Sequence, residues 1–225
     1  MLTKRRSYVG AAIALFTLFF IILNNSDEEY NLQEGDFLFQ DLDCGPTCDA
    51  IEAVTWGVDS AKFSHIGFVV DSYGERKVLE AITKGVVLTP IKDFLDRSFD
   101  TNGKPKVWVG RLKPEFREIV EKSIKIYPEY LGKDYDDEFI YNNGKYYCSE
   151  LIYDIFKKAN NGSPIFQLEP MTFKSPKSDN YFPVWVEYYK KLNFPIPQDS
   201  LGINPAGISR SKKIEIIKKL GEVQK

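Results

Sequence analysis

"FSHIGFVVDSYGERKVLEAI", residues 63–82, contains the only histidine of the chain and, in an otherwise apolar run, the acidic residue Glu80. Residues 63–70 and 76–82 are rich in β-branched and aromatic side chains and read as two strands. Between them lies Asp71-Ser72-Tyr73-Gly74, with Asp first and Gly fourth, which fits a type I turn. If Asp71 pairs with Gly74, His65 stands directly across from Glu80 with both side chains on one face. By alternation His65 shares its face with Phe63, Gly67 and Val69, and Glu80 shares its face with Val78 and Ile82. Gly67 is expected to leave open space beside the imidazole. A carboxylate on a buried face needs a partner, because its desolvation is otherwise costly. A bland reading also fits: a satisfied core histidine and an edge strand whose acid faces water.

Outward from this hairpin, the most informative stretch is "NNGKYYCSELIYDIF", residues 142–156. Leu151, Ile152, Ile155, Phe156 and Ala159 recur at helical spacing, and Asn160, Asn161 and Gly162 close the segment as a C-cap. Cys148 precedes Leu151 and Ile152 by three and four residues, so it points with them toward the core. It also lies at the helix N-terminus, where free N–H groups and the helix dipole favour a thiolate. A packed, unreactive cysteine is the alternative.

The remaining segments outline one α+β domain. Residues 34–40 and 106–112 read as strands, as does "GVVLTP" at 85–90, which ends at Pro90. Thr47 is the expected N-cap of a helix reaching about Trp56, with Asp49 and Glu52 in its first turn. "IKDFLDRSF" reads as a short helix, and Pro114 opens a longer one running to about Tyr130. A loop at 132–145 leads to the Cys148 helix. Beyond residue 163, "YFPVWVEYY" fits either a strand or a helix, "NPAGISRS" reads as a turn, and "KKIEIIKKL" reads as an amphipathic terminal helix.

The chain has 225 residues, 43% hydrophobic and 28% charged, which suits one core domain with an extension. Lys4, Arg5 and Arg6 precede an apolar run from Tyr8 to Leu23. This is the pattern of an N-terminal signal anchor or signal peptide over residues 1–23. No small-residue cleavage site follows Ile21-Ile22-Leu23, which favours a retained anchor. The positive-inside rule then places residues 24–225 outside the cytoplasm, in the periplasm or at the cell surface. Removing Lys4, Arg5 and Arg6 takes the net charge from −2 to −5, which argues against nucleic acid as a partner. The membrane is the expected partner of the N-terminal segment. There are three cysteines. Cys44 and Cys48 are the natural pair in an exported protein, either as a disulfide or as two reduced, packed thiols. Cys148 is then the free one.

A helix-terminal thiol, an imidazole and a carboxylate are the parts of nucleophilic acyl transfer. In that reading Cys148 is the nucleophile, His65 the base, Glu80 the group that orients the ring, and the N–H of Cys148 an oxyanion donor. A zinc site built from Cys44, Cys48, His65 and Cys148 is a rival whose spacing fits poorly. A non-catalytic ligand- or lipid-binding module is another.

The blocks "GDFLFQ", "FSHIGFVV", "VLEA" with "GVVLTPIKDFL", and "YYCSELIYDIF", in that order, resemble the YiiX/YebB-like permuted papain-fold hydrolases, part of the NlpC/P60 superfamily of cysteine peptidases and amidases. The likeness covers about residues 33–160. It implies a circularly permuted papain-like fold, with an antiparallel sheet or half-barrel packed on the cysteine-bearing helix. It also implies a catalytic domain spanning residues 24–225, with an extension from about residue 163. On this resemblance Cys148, His65 and Glu80 are the catalytic residues, and no cofactor or metal is expected. The implied activity is thiol-dependent hydrolysis of an amide or related acyl bond in a cell-wall peptide or a lipid-linked substrate. Tyr146 and Tyr147, which precede the nucleophile, and Tyr135 in the loop before them are candidates to line the pocket or donate to the oxyanion. Asp136 and Asp137 are candidates to shape the cleft.

Overall fold

The computed structural model describes residues 30–225, so the N-terminal segment read as a signal anchor lies outside the described residues. Its main sheet has six strands in the order β4-β3-β2-β1-β5-β8, and every pairing is antiparallel. The strands are β1 Phe37–Gln40, β2 His65–Ser72, β3 Glu75–Ile82, β4 Gly85–Pro90, β5 Val107–Leu112 and β8 Ile214–Lys219. The two-residue strands β6 Glu169–Pro170 and β7 Leu201–Gly202 form a separate ribbon. The helices are α1 Pro46–Val54, α2 Ile91–Leu95, α3 Arg117–Ile126, α4 Cys148–Ala159, α5 Pro183–Leu192 and α6 Pro205–Ser209.

Strand alternation sorts the sheet into two buried faces. Phe37, Phe39, Ile66, Phe68, Val70, Leu79 and Ala81 join the core that α4 packs into with Leu151, Ile152, Ile155 and Phe156. The Phe156 ring lies 5.2 Å from those of both Phe37 and Phe68. Burying each such side chain contributes roughly 1.5–3 kcal/mol, so this contact fixes the helix on the sheet. The other face carries Leu38, Val69, Val78, Val107 and Val109, covered by Ile91, Phe94 and Leu95 of α2. Alternation puts His65 and Glu80 on the α2 side. Phe63, which was expected on the same face as His65, belongs instead to the α4-side core, because β2 begins only at His65.

The hairpin between β2 and β3 differs from the expected one. Tyr73 and Gly74 both have positive φ, 57° and 82°, and Ser72 pairs with Glu75. This two-residue turn is of type I′, whose twist matches the flanking strands better than a type I turn does. Asp71 still caps the turn, its carboxylate accepting the Gly74 N–H at 2.8 Å. Phe68 pairs with Leu79, so Glu80 stands opposite Gly67, and His65 is its diagonal neighbour rather than its direct partner. The register moved by two residues, so both side chains stayed on one face.

Three further expectations are corrected. Helix α1 starts at Pro46 with Gly45 as its N-cap, so Thr47 lies inside the first turn. "NPAGISRS" contains the short helix α6, capped by Asn204, whose side chain accepts the Gly207 N–H at 2.7 Å. "KKIEIIKKL" is strand β8, not a helix. Ile214 and Ile216 pack inward while Glu215 and Ile217 face out, and the strand pairs with the otherwise open edge of β5. Pairing that edge outweighs the weak helical pattern of a β-branched segment. The tail from residue 163 is therefore part of the domain. "YFPVWVEYY", left open between strand and helix, forms helix α5.

Candidate active site

Cys148 is the first residue of α4, 8% exposed, with Tyr147 as the N-cap in extended conformation. The first-turn N–H groups of such a helix are free to face an anion. His65, 6% exposed, opens β2 at the end of the sheet, and its imidazole interacts with Cys148 across the wall of one cavity. The imidazole Nε2 lies 2.6 Å from Glu80 Oε2, which leaves Nδ1 for the thiol. The structure thus brings His65, Glu80 and Cys148 together, with His65 hydrogen-bonded to Glu80 and sharing a cavity wall with Cys148.

Glu80 is fully buried, and the groups around it account for its charge. Thr89 donates its hydroxyl to Oε1 at 2.5 Å, and Arg97 donates from Nη1 to Oε2 at 2.7 Å and from Nη2 to Oε1 at 2.5 Å. Burial alone would raise the carboxyl pKa, but the Arg97 and His65 hydrogen bonds outweigh it and hold Glu80 at about 2. Burial likewise works against an imidazolium, yet the neighbouring Cys148 and Glu80 side chains raise His65 to about 9. Near neutral pH the ring is therefore protonated between two acidic partners.

Gly67 does not leave space for a substrate. A Cβ there would sit 2.2 Å from Val78 Cγ1 and 3.0 Å from Phe94 Cε2. The gap is filled by Phe94, whose ring lies 5.7 Å from the His65 ring and carries the Arg97 guanidinium at 5.1 Å. Glycine at 67 lets α2 close on the sheet, and that closure delivers Arg97 to Glu80.

Cys148 and His65 open into a cavity of about 570 Å³. Its walls are mainly apolar, with Ile51 and Val54 from α1 and Met171, Phe173, Trp185 and Ile203 from the tail. Tyr135 and Tyr147 both line it. Burial above all, and then the charge of Cys148 when ionised, raise the Tyr135 hydroxyl well above its usual pKa, so it stays a proton donor beside Cys148 on the cavity wall. Tyr147 is tied down, its hydroxyl accepting the Ile203 N–H at 3.2 Å. Tyr146 does not line the cavity. Its hydroxyl bonds Asp154 at 3.2 Å and its ring meets Tyr130 edge-on, so it holds the loop to the helix. Asp137 lines the cavity, whereas Asp136 is buried and accepts the Glu138 and Ile140 N–H groups, shaping the loop that carries Tyr135.

Cys44 and Cys48 form a disulfide with a Cα separation of 5.4 Å. Their sulfurs have no thiolate to offer, so the zinc site drafted from the sequence does not fit. Among the described residues no group of three or more His, Cys, Asp or Glu could hold a metal ion, and no helix is long and apolar enough to cross a membrane.

The sequence reading missed Arg97, Thr89 and the cavity walls contributed by the tail. Thr89 was recoverable in principle, since it alternates onto the face of Val87, which pairs with Glu80. Nothing in the local pattern of "IKDFLDRSF" singles out Arg97.

The profile of the family described as "Permuted papain-like amidase enzyme, YaeF/YiiX, C92 family" matches residues 31–218, far more of the chain than the blocks at 33–160. Among curated proteins, the uncharacterized protein YiiX of Escherichia coli (strain K12) is 28% identical over 127 residues, 56% of this chain and 58% of that protein. The chain thus matches little more than half the length of that relative. A crystal structure described as the metalloprotein yiiX from Escherichia coli O157:H7 superposes with a TM-score of 0.67 at 24% identity, covering 84% of this chain and 98% of that one. At that identity the superposition speaks for the shared permuted papain-like fold.

Proposed function

The chain belongs to the YaeF/YiiX (C92) family of permuted papain-like amidases, and from that premise we propose that it is a thiol hydrolase of amide or related acyl bonds, with Cys148 as nucleophile, His65 as acid–base group and Glu80 as the residue that orients the ring. One observation carries the reading: the hydrogen-bonded chain from Arg97 through Glu80 to His65, whose ring shares the cavity wall with Cys148 at a helix N-terminus.

The Cys148 thiolate attacks the substrate carbonyl carbon, forming a C–S bond and an oxyanion. In this reading the backbone N–H of Cys148 and the Tyr135 hydroxyl, both on the cavity wall, donate to that oxyanion. Collapse breaks the bond to the leaving group, which takes the proton from the His65 imidazolium. The neutral imidazole then removes a proton from water as it attacks the thioester, and the acid and the thiolate–imidazolium pair are released. Throughout, Glu80 holds Nε2 and stabilises the charged ring, and Arg97 and Thr89 hold Glu80.

Of the two substrate classes expected from the sequence, the apolar cavity favours an acyl chain or a lipid-linked acyl group over a polar cell-wall peptide. The basic start and apolar run of residues 4–23 support an extracytoplasmic, membrane-anchored protein. The Cys44–Cys48 disulfide is in keeping with an oxidising compartment. The test is mass spectrometry of the protein mixed with medium- and long-chain acyl amides and esters. A thioester on Cys148, lost with turnover in Cys148→Ala, is the expected result. Turnover that survives in Cys148→Ala would refute the assignment.

A further inference from the structure

The cavity at Cys148 adjoins a second chamber of about 290 Å³, and Glu169, Ile203, Asn204 and Arg210 line both. The two differ in chemistry. The second chamber is lined by Arg210, Lys212 and Lys213 against one carboxylate, Glu169. Arg97 and Arg210 are the cationic Lys or Arg residues on the wall of the main cavity among the described residues. Arg97 commits both terminal nitrogens to Glu80. Arg210 is held differently. Its guanidinium stacks over the Trp56 ring at 5.2 Å and donates to the Trp56 carbonyl, and its pairing with Glu169 is long, at 3.5 Å. The Glu169 side chain is well exposed, so this ion pair is weak and its guanidinium face can be taken by a better acceptor. Lys213 is steadied from behind, its ammonium donating to the Ile165 carbonyl at 2.6 Å.

We propose that Arg210, backed by Lys212 and Lys213, forms an anion subsite that selects substrates carrying a carboxylate or phosphate on the leaving-group side of the scissile bond. This rests on the hydrolase reading and narrows it to anionic amphiphiles: the acyl chain lies in the apolar cavity and the charged end in the adjoining chamber. A planar guanidinium fixed by stacking on an aromatic ring is suited to a two-pronged grip on either oxyacid. Trp56, 58% exposed and next to α1, sets the position of that guanidinium, which makes it part of the subsite through Arg210.

The test uses the full chain and three matched amides: N-dodecanoylglycine, N-dodecanoylethanolamine phosphate and the neutral N-dodecanoylglycinamide. The first readout is binding to Cys148→Ala, by calorimetry, at low and high salt. The inference expects the anionic amides to bind about tenfold or more tighter than the neutral one, with the gap shrinking as salt rises. The double variant Cys148→Ala/Arg210→Gln should close the gap, and Cys148→Ala/Arg210→Lys should keep part of it. Preference for the glycine conjugate identifies a carboxylate as the natural anion, and preference for the phosphate conjugate identifies a phosphate. Equal binding of anionic and neutral amides by Cys148→Ala, or a gap that survives in both Arg210 variants, overturns the inference. The second readout is kcat/KM with Cys148 intact. Hydrolysis of all three without discrimination also overturns the subsite and leaves the hydrolase reading standing. Salt-sensitive, Arg210-dependent binding with no thioester on Cys148 from any acyl donor would instead keep the subsite and remove the hydrolase.

Discussion

Arg97 closes both of its terminal nitrogens on the carboxylate of Glu80, at 2.7 Å from Oε2 and 2.5 Å from Oε1, while that same carboxylate holds the His65 ring at 2.6 Å. A fully buried acid is thereby kept ionised. Its lone pairs go to an arginine, a threonine and a histidine, so its orientation is over-determined. Removing one member leaves a buried charge short of partners, a change that costs about 3–5 kcal/mol in buried pairs, and less here because Arg97 is partly exposed. Arg97→Ala is therefore expected to lose about 2 kcal/mol of stability by urea unfolding and to lower kcat. Arg97→Lys should recover stability more than kcat, because a point charge cannot align the carboxylate as the fork does. Equal kcat for the wild type and Arg97→Ala would remove the positioning role.

The activity profile should have an alkaline limb near pH 9, where His65 loses its proton. The negative charge of Glu80 is one reason the imidazolium persists to that pH, so Glu80→Gln should move the limb down toward the ordinary histidine range. It should also cut kcat by roughly a hundredfold or more, because a neutral amide neither fixes the tautomer nor stabilises the cation. A limb that stays in place in Glu80→Gln would contradict the arrangement.

Stability should follow pH with a definite sign. His65 has its folded pKa raised, from 6.5 to about 9, so its contribution is full below pH 6.5 and fades as pH rises through 9. Glu80 is depressed, so its contribution is present above pH 4.5 and is lost as pH falls through about 2. Two other buried acids act in the alkaline direction. Burial, opposed by the nearby Ser64 side chain, raises Glu52 to about 7, and burial, opposed by the Asn142 N–H, raises Glu150 to about 8. Each also keeps one carboxylate oxygen without a hydrogen-bond partner. These terms together put the stability maximum near pH 4.5, with a decline from there toward pH 9. Glu52→Gln and Glu150→Gln should each flatten that decline between pH 5 and 8, as read from urea unfolding at a series of pH values. An unchanged slope in both variants would show that these acids ionise freely in the folded protein.

Gly67→Ala should destabilise the domain by about 1–3 kcal/mol through overpacking, because the new methyl group meets the stiff Val78 side chain and Phe94. Pairing it with Val78→Ala should give a double variant more stable than the sum of the two single losses. Simple additivity in the double-mutant cycle would mean that the crowding is relieved elsewhere.

Deleting residues 212–225 should abolish soluble expression or lower the thermal midpoint sharply. It removes β8, uncovers the edge of β5 and withdraws the buried Ile214, Leu220 and Val223. A soluble truncated protein with an unshifted midpoint would show that pairing β8 to the edge of β5 adds nothing to the stability of the domain.

The parts of the molecule legible from the sequence are those dictated by local chemistry. Helical spacing fixed Leu151, Ile152, Ile155 and Phe156 on one stripe and left Cys148 at the N-terminus of the same helix. Strand alternation put His65 and Glu80 on one face, and that inference survived a wrong turn type because the register moved by an even number of residues. Tertiary structure alone decided the rest. Arg97 reaches Glu80 only because α2 folds over the sheet at Gly67, a contact between residues distant in sequence. The segment "KKIEIIKKL" becomes a strand because β5 has an open edge, and no local propensity encodes the needs of a neighbour. The cavity beside Cys148 is walled by α1 and by residues of the tail, so its apolar character comes from chain closure between segments more than a hundred residues apart.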